Sequence, residues 1–165
     1  MKKSNLKPAK LAALAFLSTL AFSNPIFAAD EHNVVPGLTA AGKPLGLHGV
    51  DPVSLLDAGQ YIAGSATHTE VFDNVSYYFS SEANKESFKT DPEKYAPQNG
   101  GFCTFGVSVG KKFDGNPSFA SINNGKLYVF LNEDIYKLFM KDSTGTITKA
   151  ESQWKKIEHS SASSL

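Results

Sequence analysis

The chain has 165 residues, 41 % hydrophobic and 19 % charged, with sixteen lysines against sixteen carboxylates and no arginine. That length supports one domain with a core of its own, while the lack of any basic excess argues against nucleic acid and anionic membranes. Without arginine there is no bidentate clamp for phosphate, and a single cysteine excludes an internal disulfide.

Lys2, Lys3, Lys7 and Lys10 precede an apolar run from Leu11 to Phe22, which Ser23, Asn24 and Pro25 break. With the small residues of Ala28-Ala29 following, this reads as a secretory signal over 1–28. The cut is placed after Ala28, because cleavage after Ala29 would put bulky Phe27 three residues before it. The run is short for a membrane span and no later run approaches one, so a soluble exported protein without stable membrane insertion is expected. From residue 29 the chain holds twelve lysines and sixteen carboxylates, a formal charge of −4. The lysine-rich leader and Ala-Ala cut suit a Gram-negative periplasm.

Residues 29–46 read as an extended lead-in, with Pro36, Gly37, Gly42, Pro44 and Gly46 opposing regular structure. Asp51 before Pro52 reads as an N-cap with proline at the first helical position, opening a short helix through Leu56. Glu70–Phe72 and Ser76–Phe79 flank Asp73-Asn74, a hairpin turn pair. Ser81 caps a helix through Lys89 that turns Phe88 inward, and Asp91-Pro92 starts another short turn of helix. Residues 101–110 fit a small helix or a loop equally well. Phe119–Ile122 and Lys126–Leu131 bracket Asn123-Asn124-Gly125, a second hairpin. Asn132 caps Glu133–Lys141, and Thr148–Ile157 forms a last helix carrying Trp154, within a C-terminal segment 143–158 expected to pack on the domain. The serine-rich tail 159–165 reads as disordered. Two hairpins among several short helices predict a small single α+β domain.

The lone thiol, Cys103, follows Gly100-Gly101-Phe102. In an exported protein such a thiol is buried and inert, paired with another molecule, or used chemically. At a helix start it would be activated as thiolate; between Phe102 and Phe105 it would be a small buried hydrophobe.

Several segments, taken in order, resemble the YHS domain family. They are Gly49-Val50-Asp51-Pro52-Val53, then Phe72-Asp73-Asn74-Val75-Ser76-Tyr77-Tyr78-Phe79-Ser80-Ser81, then Phe88-Lys89-Thr90-Asp91-Pro92-Glu93-Lys94-Tyr95, and Gly100-Gly101-Phe102-Cys103. Gly110-Lys111-Lys112-Phe113-Asp114-Gly115 and Gly125-Lys126-Leu127-Tyr128-Val129 continue it. The likeness is to the exported, single-domain bacterial branch with a GGYC-like motif, and it covers residues 47–142. In the branch appended to metal-transporting ATPases, the resemblance implies soft-metal binding through three cysteines. The matching positions here are Ser54, Ser80 and Asn84, so that cysteine cage does not carry over, and the scaffold with Cys103 remains.

The resemblance therefore implies an exported, non-enzymatic YHS-type protein that binds or buffers a soft metal, copper or zinc, through Cys103. His48 and Asp51 are its candidate partners, although Asp51 is equally what a helix cap demands. Tyr78 and His68 are candidates for a ligand pocket, Tyr77 and Tyr78 pointing to opposite faces of a strand. His32 and His159 fall in the terminal stretches, and Lys111, Lys112 and Asp114 read as a solvated loop. Two other readings stay open: a metal-free interaction or small-ligand module, and a thiol redox partner joining a protein partner or a second copy through Cys103. No nucleotide loop, Gly-x-Ser-x-Gly elbow or paired-cysteine motif is present, so neither catalysis nor an organic cofactor is expected.

Overall fold

A computed structural model describes residues 30–165; the expected signal over 1–28 lies outside the described residues. The chain folds as a small α+β domain with two separate antiparallel hairpins and several short helices. Strands β3 (Ser65–Phe72) and β4 (Val75–Phe79) form the first hairpin, β5 (Asn116–Asn123) and β6 (Lys126–Phe130) the second. Both turns need left-handed backbone, which their residues tolerate: φ is 48° and 63° at Asp73 and Asn74, and 51° and 71° at Asn124 and Gly125.

The lead-in is more ordered than its composition suggests. Val34–Val35 (β1) and Leu45–Gly46 (β2) pair antiparallel, and Leu45 pairs in parallel with Ser76, giving a sheet ordered β1-β2-β4-β3. Glycine at 46 permits this approach, since a Cβ there would lie 2.6 Å from the Val75 Cγ1.

Helix α1 (Pro52–Ala58) is capped by Asp51, α2 (Glu82–Thr90) by Ser81, α3 (Pro92–Tyr95) by Asp91 and α5 (Glu133–Lys141) by Asn132, each side chain accepting a backbone N–H of the first turn. Residues 101–110 resolve into a five-residue helix, α4 (Thr104–Ser108). The last helix, α6 (Ser143–Ile157), begins a turn earlier than expected because Asp142 caps it through the Gly145 N–H.

Phe88 is the hub of the largest core, wholly buried with the rings of Tyr77 and Phe79 each 5.0 Å away and those of Phe72 and Tyr95 at 6.2 and 6.4 Å. Leu127 and Val129 of β6 join this cluster, which ties the second hairpin to the first sheet. A smaller cluster, Phe102, Val107, Ala150 and Ile157, locks α4 to α6.

Two expectations for the surface are corrected. Lys112 is not solvated: its side chain is fully covered, donating to the carbonyls of Glu158 (3.0 Å) and Ser160 (2.7 Å), with Glu31 at 3.7 Å. Burial lowers its pKa while Glu31 pulls the other way. Through these bonds the expected disordered tail 159–165 is anchored, and Ala162–Ser164 forms a turn of 3-10 helix.

Candidate functional site

Cys103 stands at the N-cap of α4, its backbone N–H donating to the Phe113 carbonyl at 2.9 Å. It is 1 % exposed and packs with Tyr128, Phe130 and Phe139. Burial pushes the thiol above its ordinary pKa; the N–H groups of Gly106, Leu131 and Phe105 act against this, and the Asp114 charge adds to the rise. Burial thus outweighs the helix start, and the thiol is neutral near pH 7. Above it lies a small cup of about 140 Å3 whose other walls are Phe105, Gly106, Val109, Phe113, Leu131 and Ile135. No polar side chain apart from the thiol lines it. Phe113 and Val109, at 47 % and 61 % exposed, form an open apolar rim.

The expected partners of Cys103 are engaged elsewhere. His48 sits in a left-handed turn with Leu47 and Gly49 (φ 47°, 49° and 79°), and its Nε2 meets the Asp114 carboxylate at 2.9 Å. Asp114 also accepts from the Asn33 side-chain amide at 2.9 Å. Asp51 is completely buried, and its carboxylate is saturated. One oxygen accepts from the N–H groups of Val53 and Ser54, the other from the Ser80 N–H, the Ser80 hydroxyl and the Asn84 amide, at 2.6–3.1 Å. Burial by itself would raise its pKa, but the bonds from Ser80, Asn84 and Ser54 outweigh that and hold it below the usual carboxylate range. Asp51 is a structural anchor that ties α1 to the end of β4 and to α2.

Ser54, Ser80 and Asn84, the three positions that the resemblance matches to cysteines, converge on this carboxylate. Asn84 donates to Ser54 at 3.1 Å, and the Ser54 and Ser80 hydroxyls lie 3.5 Å apart. Neutral oxygens and an amide that are hydrogen-bonded among themselves do not fit a soft metal. Cys103, His48 and Asp51 are not brought together as ligands, and among the described residues no group of three or more His, Cys, Asp or Glu side chains can hold a metal ion.

Tyr78 pairs in register with Thr69 and, half-buried, lines a shallow groove with Leu38 and Leu45. His68 is not on that wall: its Nδ1 meets Glu82 on α2 at 3.0 Å. The two pocket candidates therefore do not share a pocket. Phe113, Val109 and Ile135, which complete the cup, carry no motif that marks them in the sequence.

No helix of the described residues is long and apolar enough to cross a membrane. No protein-family model, no curated protein and no solved structure matches this chain.

Proposed function

We propose that this is an exported, non-enzymatic binding module of YHS type that works without metal, taking a compact apolar ligand into the cup over Cys103. The observation that carries this reading is the cup itself: a covered, neutral thiol at the base of an apolar hollow, with aromatic and aliphatic side chains left open around it. Concave apolar sites of this kind gain affinity by removing ligand surface from water. The convergence of Ser54, Ser80 and Asn84 on Asp51 supports the YHS-type scaffold, because the residues that the family likeness pairs do meet in space.

The copper or zinc reading is the weaker one. A thiolate ligand would have to form against burial, and neither His48 nor Asp51 is available beside it. A Cys–His dyad would need the same missing contact. A mixed disulfide would first require Cys103 to leave its cover.

Benzene is the probe of choice, since apolar cavities of about 150 Å3 accept it. Titration followed by NMR should move the resonances of Val109, Phe113, Leu131 and Ile135 saturably. A Val109→Asp variant, altered at an exposed rim position, should abolish the shifts while keeping the fold. Shifts scattered through the cores around Phe88 and Phe102, or none up to the solubility limit, would refute the reading.

A further inference from the structure

The two ends of the described chain meet at one covered cation. Of the lysines among the described residues, Lys112 alone is buried. Its Nζ donates to the carbonyls of Glu158 (3.0 Å) and Ser160 (2.7 Å) and lies 3.7 Å from the Glu31 carboxylate. The rings of Phe102 and Trp154 flank it, each centroid 5.2 Å away, near enough for cation–π attraction. Glu31 also accepts the Ala162 N–H, and beside it Asp30 meets His159. The amine thus binds the tail directly, and the carboxylate that faces it binds the same tail from the other end of the chain.

These fastenings are polar. Leu165, packed on the Phe102 cluster, is the one residue after Ile157 that joins an apolar core. Taking an ammonium out of water is costly unless its partners are complete, and burial does lower the Lys112 pKa against the pull of Glu31. Desolvation therefore pushes the cation outward, while one carboxylate and two carbonyls hold it in. Segments held by few apolar contacts belong to the low-stability end of a fold and open before the rest.

We infer that residues 30–31 and 158–165 form one clasp over Lys112, which opens and closes as a unit while the hairpins and the core around Phe88 stay folded. Closed, the clasp hides the amine; open, it presents the amine beside Phe102 and Trp154. The links depend on one another. Without the Glu31 charge the ammonium is buried with neutral partners only, and the Ala162 N–H loses an ionic acceptor. A change at residue 31 therefore loosens a tail 131 positions away in the sequence.

A short pulse of acetic anhydride, read lysine by lysine by mass spectrometry, tests the clasp. In the native protein Lys112 should be acetylated at least about a hundredfold more slowly than exposed Lys155 and Lys156. Relative to the urea-unfolded chain, it should still be less protected than Cys103 is towards a disulfide reagent. Glu31→Gln should speed Lys112 about tenfold, the worth of one hydrogen bond to a charged group. It should also speed amide exchange at Ser160, whose N–H is bonded to the Ile157 carbonyl and not to Glu31, by a similar factor. Cys103 labelling and the circular dichroism spectrum should not change. Glu151→Gln, which removes an exposed charge 3.9 Å from Lys126, controls for net charge and should leave Lys112 as it was. Lys112 reacting as fast as the exposed lysines, protection equal to that of Cys103, or a Ser160 amide unmoved by Glu31→Gln would overturn the inference.

Discussion

Replacing Asp51 tests whether its carboxylate is an anchor or a ligand waiting for a metal. Asp51→Ala deletes the α1 cap, worth about 1 kcal/mol, and strands the Asn84 amide and the Ser54 side of the cluster, about 1–3 kcal/mol more. Ser80 is exposed, so water can replace its lost acceptor. The expected loss is therefore about 2–4 kcal/mol, a large share of the ~5–15 kcal/mol typical of a domain. Asp51→Asn should do no better. One amide oxygen can still cap α1, but the NH2 group then faces the Ser80 and Asn84 donors. The sign with pH follows from the lowered pKa. Stability from Asp51 is complete above the ordinary carboxylate value near 4 and is lost as pH falls through the folded value. Urea unfolding followed by Trp154 emission at pH 7, 4 and 3 reads both effects. The wild-type advantage over Asp51→Asn should hold from pH 7 to 4 and shrink by pH 3. Either variant within 1 kcal/mol of wild type, or an advantage growing with acid, would refute the anchor.

Two glycines separate crowding from backbone conformation. A Cβ at Gly115 would lie 2.2 Å from the Gly101 carbonyl oxygen and 2.5 Å from Val129, so Gly115→Ala should cost about 1–3 kcal/mol by overpacking. Gly125 has φ 71° and no neighbour within 4 Å, so Gly125→Ala should cost only the left-handed strain, about 1–2 kcal/mol; thermal melts of the two compare them. Cys103 should react with a disulfide reagent at least about a hundredfold slower in native buffer than in urea, its access depending on opening of the core. Rapid native labelling would show a thiolate at the surface.

The hairpins and helix caps were legible because each rests on a local demand. Left-handed turns call for Asp73-Asn74 and Asn124-Gly125, and orphan N–H groups call for Asp51, Ser81, Asp91 and Asn132. The features that escaped are those made by distant segments. Two-residue strands at 34–35 and 45–46 leave no periodicity to read; they exist because β4 offers an edge and Gly46 fits against Val75. A Lys-Lys pair in a loop looks solvated, yet Lys112 is drawn inward by two carbonyls from residues 158 and 160. For Cys103 the two motif-level readings, activated at a helix start or buried, pulled oppositely. Their balance depended on Leu131 and Ile135, which the sequence alone does not place beside it.

The metal-free reading meets its most direct test in copper(I). The reduced protein and Cys103→Ala are titrated side by side against a competing chelator. The account predicts the same weak binding by both, because the thiol is covered and lacks a second ligand. Tight one-to-one binding by the wild type, lost in Cys103→Ala, would contradict it.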